Sequence, residues 1–283
     1  MNRKIGIILD SFCGLTQKEV NDLGFDFIPL QVIINGKNNL EGINITNLEV
    51  RAQIESGKKV QTSLPPYAFM ENLMQNLNNK YDHIYVLPIN SALSSEFNHL
   101  CAIANSINPD KFTIFNNNFV SKQYIIIANK IIEMNENGKS HKDILNFLES
   151  QNNATLNYII PANLDAFVSG GRLSNYKKII MTSLKLIPIL KNNDGVTATG
   201  VKRTMKSAIL KAMEKLLEYI GGEKNLDQYN FWIVHTGIQK YVDIVESYLA
   251  ELDAKPIFSS FAAASVLIHA GIDAISIGIS KKI

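Results

Sequence analysis

Apolar residues recur along this chain in two alternating rhythms. Short runs rich in Ile, Val, Leu and Phe, such as "IGIILD" (5–10), alternate with longer segments whose apolar positions return every three to four residues. The first rhythm belongs to buried strands and the second to helices packed on a sheet, so the alternation predicts an α/β fold. "LTQKEVNDLG" predicts a short helix, with Thr16 and Glu19 at capping-box spacing and Gly24 at its end. "FDFIPLQVIINGKNNLE" predicts a strand, an Asn35-Gly36 turn and a returning strand. "ITNLEVRAQIESG" repeats the capping box with Thr46 and Glu49 and stops at Gly57. Phe69, Leu73 and Leu77 recur every four residues, which predicts a helix over 66–78. The strands "HIYVLPI" and "FTIFN" then alternate with helices in "SSEFNHLCAIANSI", "VSKQYIIIANKIIEM" and "SHKDILNFLES", the last with Ser140 as its cap.

The texture changes near residue 156. "LNYIIPA" reads as a strand or connection, and "NLDAFVSGGRLS" is punctuated by glycine. "LKLIPILKNNDGVTATGVKR" predicts a hairpin turning at Asp194-Gly195, followed by a long helix over about 203–220. A strand in "YNFWIVHTG", a helix in "KYVDIVESYLAEL" and an apolar tail complete the chain. The expected architecture is two-domain: an N-terminal Rossmann-like sheet flanked by helices over 1–156, and a C-terminal α/β domain over 157–283. The tail, 258–279, is long enough to span a membrane, but His269 and Asp273 lie inside it and Gly271 breaks it. A buried helix, a loop and a buried strand are expected there instead, with no stable membrane insertion. The N-terminal apolar run "IGIIL" is shorter than the core of a signal peptide, which favours a cytoplasmic protein.

Composition narrows the function classes. Of 283 residues, 46% are hydrophobic and 19% charged, as in globular proteins. Net charge is +2, from 28 basic and 26 acidic residues, and the lysines are scattered, which argues against a nucleic-acid partner. Cys13 and Cys101 have no metal or redox spacing, and the histidines at 83, 99, 141, 235 and 269 show no H-E-x-x-H pattern. Neither a metal nor a cofactor is expected.

Hydroxyls and isolated cations supply the candidate chemistry. In "QTSLPPYAF" each proline disfavours helix at the residue before it, so the helix is expected to start at Pro66. Thr62 and Ser63 then stand too far upstream to be ordinary caps, free either to bond their own backbone or to hold a ligand. "NSALSSEF" places Ser91, Ser94 and Ser95 between a strand and a helix, where open α/β sheets bind ligands; the alternative is that one of them simply caps the helix. "VSGGRLS" sets Arg172 beside Gly170-Gly171, as an anion fork or as a surface residue on a tight turn. His269 interrupts the apolar tail, Arg203 is a second isolated cation, and Asp10-Ser11 closes the first strand. No G-x-S-x-G elbow and no clear acid/base carboxylate pair occurs. The set suits anion binding better than catalysis.

In order and spacing, "ILDSF", "TSLPP", "INSALSSEF", "FVSGGRLS", "LIPILKNNDGVTATGVKR" and "IHAGIDAISIGI" together resemble the DegV family of bacterial fatty-acid-binding proteins over nearly the whole chain. The resemblance implies a non-catalytic protein that buries a long-chain fatty acid in an apolar tunnel. It places the carboxylate on Thr62, Ser63 and Ser94, with Ser95 beside them, and carries the family's arginine and histidine onto Arg172 and His269. It also implies a partner, a separate fatty acid kinase that forms the acyl phosphate. Ser91, Arg203, Asp10 and Ser11 are secondary candidates. The chain departs from the family pattern at Ser94-Ser95-Glu96, where Ser-Gly-Thr is usual, at Gly271-Ile272-Asp273, where Gly-Pro-Gly is usual, and around Asn116-Asn117, where an aspartate is usual. Glu96 favours a helix N-terminus, but repels a bound anion if it points inward. The competing expectations are a hydrolase or transferase acting on acyl or phosphate esters through Asp10-Ser11 and His269, and a diverged interaction module.

Overall fold

The computed structural model describes residues 4–174 and 186–283. The chain divides into two compact units, Met1–Asn152 with Ala263–Ser265, and Asn153–Ala262 with Val266–Ile283.

Unit 1 is built on a parallel sheet. Its strands are β1 (Ile5–Asp10), β2 (Asp26–Ile28), β6 (His83–Leu87) and β7 (Phe112–Ile114), in the order β2-β1-β6-β7. All three pairings are parallel. A three-stranded antiparallel sheet accompanies it, with β3 (Gln31–Ile34) between β4 (Lys37–Leu40) and β5 (Val60–Ser63). The turn joining β3 to β4 needs two residues with positive φ, and Asn35 (48°) and Gly36 (84°) provide them. Helices α1 (Gln17–Asp22) and α2 (Asn47–Glu55) begin at reciprocal capping boxes, Thr16 with Glu19 and Thr46 with Glu49.

Helix α3 (Tyr67–Asn78) starts one residue later than expected. Pro66 has an extended ψ of 128° and stands outside the helix as its cap residue. Helices α4 (Glu96–Ile107), α5 (Gln123–Glu136) and α6 (His141–Asn153) complete the unit. Met70, Met74, Leu100 and Ile103 pack on Ile8, Ile28, Ile84 and Val86 to form one core layer.

Unit 2 carries a seven-stranded mixed sheet in the order β13-β12-β14-β8-β10-β11-β9. The strands are β8 (Leu156–Pro161), β9 (Leu173–Ser174), β10 (Ile187–Asn192), β11 (Val196–Lys202), β12 (Tyr229–His235), β13 (Pro256–Phe261) and β14 (Ala274–Lys281). Its helices are α7 (Asp165–Gly170), α8 (Met205–Tyr219), α9 (Gln239–Glu251) and α10 (Ala264–Ala270), the first two residues of α10 belonging to unit 1. The hairpin turns at Asp194-Gly195 (φ 50° and 105°), while Leu184 and Lys185 at its start lie outside the described residues.

The tail differs from expectation at its beginning. "PIFSSF" is an edge strand, β13, pairing in parallel with β12, rather than part of a helix. From Pro256 to Ser260 its more buried and its exposed positions alternate with period two, and the Ser259-Ser260 pair hides that rhythm in the sequence. Among the described residues no helix is long and apolar enough to cross a membrane. Trp232 is fully buried and stacks on Phe258 at 5.9 Å between ring centroids. Gly278 makes room for it, since a Cβ there would lie 1.9 Å from the indole.

Candidate functional site

In unit 1 the chain leaves β1 and β6 at the same end of the parallel sheet. The order β2-β1-β6-β7 changes direction between those two strands, which opens a crevice at their C-terminal ends. Asp10 and Ser11 close β1, and residues 88–95 follow β6.

Asparagines shape the loop after β6. Asn90 donates through Nδ2 to the Asn117 carbonyl (2.9 Å) and to Asn118 Oδ1 (3.0 Å), and its own Oδ1 accepts from the Ala92 amide (2.8 Å). Asn117 donates to the Pro88 carbonyl (2.9 Å), which also accepts the hydroxyl of the fully buried Tyr124 (3.3 Å). Ser91 donates its amide to Asn116 Oδ1 (2.9 Å). The positions where an aspartate is usual therefore act as neutral braces between two loops. Asparagine suits this work, having both a donor and an acceptor where aspartate has only acceptors.

Ser94 is half-buried, and its hydroxyl accepts the Glu96 amide at 3.2 Å, at the start of α4. Ser95 is exposed and makes no side-chain cap bond. Thr62 and Ser63 lie in β5, in extended backbone, with Thr62 opposite Val32. Successive strand residues face opposite sides, and here Thr62 is half-buried while Ser63 is exposed.

Three acids meet beneath the Ser94 loop. Asp10, Glu41 and Glu96 are 1%, 1% and 0% exposed. Asp10 Oδ1 accepts the Phe12 amide (2.9 Å) and Oδ2 the Ile89 amide (2.5 Å). Glu41 Oε2 accepts the Ser11 hydroxyl (3.0 Å), and Oε1 accepts the amides of Ala264 (2.6 Å) and Ser265 (3.3 Å). Ser11 in turn accepts the Leu30 amide (3.0 Å). Burial pushes the Glu41 carboxyl up to about 7, against the lowering effect of these donors. Asp10 and Glu96 are also raised, by burial first. No group of three or more acids, histidines or cysteines among the described residues is arranged to hold a metal ion. Ser11 is engaged on both sides of its hydroxyl, donating to Glu41 and accepting from Leu30.

Unit 2 brings Arg172 and His269 together. Gly171 (φ 68°) ends α7 in the left-handed region, and the exposed Arg172 that follows donates through Nη1 to the Gly170 carbonyl. A Cβ on Gly170 would lie 2.2 Å from His269 Nδ1, so glycine is what lets the imidazole approach. Burial, and then the Arg172 guanidinium, hold His269 down to about 4, leaving it neutral at ordinary pH. Arg203 is exposed between β11 and α8.

The fold and these motifs coincide with a known family, whose model matches residues 4–282. The chain belongs to the DegV family. A DegV domain-containing protein of Mycoplasmopsis pulmonis is 28% identical over 280 residues, covering 98% of this chain and 95% of that protein. A fatty-acid-binding DegV family protein from Thermus thermophilus superposes with a TM-score of 0.86 at 21% identity, covering 99% of this chain and 100% of its own. DegV of Bacillus subtilis, a fatty acid binding protein, superposes with a TM-score of 0.85 at 24% identity over 99% and 100% of the two chains.

Sequence patterns missed Glu41, Asn90 and Tyr124. Glu41 has one local signal, an acid ahead of Gly42 (φ 73°) in a turn, and its partners Ala264 and Ser265 lie more than two hundred positions away. Asn90 opens the "NSALSSEF" stretch, where the hydroxyls rather than its amide carry the candidate chemistry, and Tyr124 sits in a stretch whose composition marks only a helix.

Proposed function

We propose that this DegV-family chain binds one long-chain fatty acid, with its carboxylate on hydroxyls of unit 1, and carries it to a separate fatty acid kinase. The observation that supports this most is the Ser94 loop at the C-terminal edge of a parallel sheet, in a chain whose fold matches fatty-acid-binding DegV proteins end to end. Thr62 and Ser94 are the leading head-group residues, because both are half-buried, where Ser63 and Ser95 are exposed. Ser63 and Ser95 are the outer members of the same motifs. Arg172 beside a neutral His269 offers an anion one charged and one uncharged donor, and is assigned to unit 2 as an independent contact.

The acyl chain dominates affinity. At roughly 0.8 kcal/mol per buried CH₂, about fifteen methylenes supply about 12 kcal/mol gross, from which association and ordering subtract a large share. The hydroxyls then decide which way the head points. Native mass spectrometry and lipid extraction of the purified protein test this directly. A stoichiometric, exchangeable long-chain acid is expected, and its absence, with no uptake of added palmitate or oleate, would refute the proposal. For the carrier role, a fatty acid kinase subunit should phosphorylate palmitate only when this protein is present.

A further inference from the structure

Glu96 is a fully buried acid at the first residue of α4, and among the described residues no donor reaches either of its carboxylate oxygens. Its polar neighbour is the carboxyl of Asp10, within hydrogen-bonding reach. Two carboxylates facing each other in a buried site cannot both stay ionised. Asp10 already accepts two backbone amides, from Phe12 and Ile89, which favours its ionised form. A carboxylate has room for a third donor. The proton therefore belongs on Glu96, where it closes a hydrogen bond to Asp10.

The position of that bond gives it a role. Asp10 holds the Ile89 amide at the start of the loop, and Glu96 stands at its end. One carboxylate at the end of β1 thus grips both ends of the segment that carries Ser94. The Glu96 amide also donates to the Ser94 hydroxyl, so any shift of Glu96 is passed to that side chain. We propose that a single proton shared by Glu96 and Asp10 latches the 89–96 loop to the end of β1 and fixes the position of Ser94. Glu96 is thus a positioning residue.

The groups around the latch make it sensitive to alkali. Asp10 on β1, Glu41 beyond β4, Cys13 in the helical turn after β1 and Tyr124 on α5 face the pair or one another, and all ionise to anions. Removing the Glu96 proton leaves two adjacent negative charges with no cation among these groups, and the loop end is released. The consequence for ligand binding rests on the fatty-acid proposal above; the latch itself does not.

Amide hydrogen exchange of the full chain tests it, with peptides covering 88–96 followed from about pH 6 to about pH 10 and each rate corrected for intrinsic base catalysis. Protection of this segment should fall at least about tenfold as the shared proton leaves, while peptides of α8 in unit 2 keep theirs. Glu96→Gln donates an amide N–H to Asp10 that cannot be lost, so its protection should be independent of pH. Constant protection in the wild type, or an equal fall in Glu96→Gln, overturns the latch. Infrared spectroscopy gives a readout that needs no variant. At about pH 8.5, above the titration of Glu41, a protonated carboxyl stretching band should persist, and its absence overturns the proposal. Palmitate affinity measured across the same range separates the two claims. Binding without pH-dependent protection overturns the latch alone, and a working latch with no palmitate bound at any pH overturns the fatty-acid proposal alone.

Discussion

Glu41 offers a test of how this fold tolerates buried acid. Its folded carboxyl titrates near 7 instead of the ordinary 4.5, because burial outweighs the help of the Ser11, Ala264 and Ser265 donors. The native protein therefore binds more protons than the unfolded chain between those values, and unfolding free energy falls as pH rises. The contribution is fully present below about 4.5 and is lost by the time pH has passed through about 7. Its size is about 3 kcal/mol, of which about 2.5 kcal/mol disappears between about pH 5 and about pH 8. Glu41→Gln removes the titration. The amide oxygen still accepts the Ala264 and Ser265 amides, but the Ser11 hydroxyl loses its acceptor, at a cost of about 1 kcal/mol. The variant should then match the wild type at about pH 5 and exceed it by about 2 kcal/mol at about pH 8. Urea unfolding by far-ultraviolet circular dichroism at both pH values supplies the numbers. A Glu41→Gln stability curve parallel to the wild type would refute the assignment of this titration to Glu41. Glu41→Ala, which strips all three donors of their acceptor, should lose about 3 to 5 kcal/mol at about pH 5, and less at about pH 8, where the wild type has itself lost about 2.5 kcal/mol.

Three further outcomes are expected. Gly278→Ala drives a methyl into the Trp232 indole, so unit 2 should lose about 3 kcal/mol or more, seen as an earlier tryptophan-fluorescence transition in urea. His269 should stay neutral down to about pH 4, and Gly170→Ala, which displaces the imidazole, should bring its titration back toward 6.5 in a nuclear magnetic resonance titration. Thr62→Ala combined with Ser94→Ala should weaken palmitate binding about tenfold or more while leaving the fold intact; unchanged affinity would place the head group elsewhere.

Local chemistry made much of the fold legible. The capping boxes at Thr16 and Thr46 and the Asn35-Gly36 and Asp194-Gly195 turns each depend on residues within a few positions of one another, and each stands where its pattern predicts. β13 was hidden because Ser259 and Ser260 blur the apolar rhythm and an edge strand needs only one buried face. The acids were hidden for a different reason. Asp10 meets Ile89, Glu41 meets Ala264 and Glu96 meets Asp10 across 79, 223 and 86 positions, so topology chooses the partners and no local pattern reports them.

Those long-range partners also change what Glu96 means for an anion bound near Ser94. An ionised Glu96 beside that hydroxyl would repel a fatty carboxylate. Glu96 instead points inward to Asp10, and burial, together with that neighbouring acid, favours its neutral form. Glu41 is neutral as well at pH values below about 7. Burial raises Asp10 to about 7 too, so below that value the three acids together carry little negative charge, and two backbone amides compensate what Asp10 keeps. The replacement at position 96 thus costs the neighbouring hydroxyl little electrostatically while tying down the loop that presents it. Glu96→Ala, which leaves Asp10 its amides but frees the loop end, should therefore weaken palmitate binding rather than strengthen it. Tighter binding by that variant, measured by isothermal titration calorimetry near pH 7, would mean that Glu96 acts on the ligand as a charge.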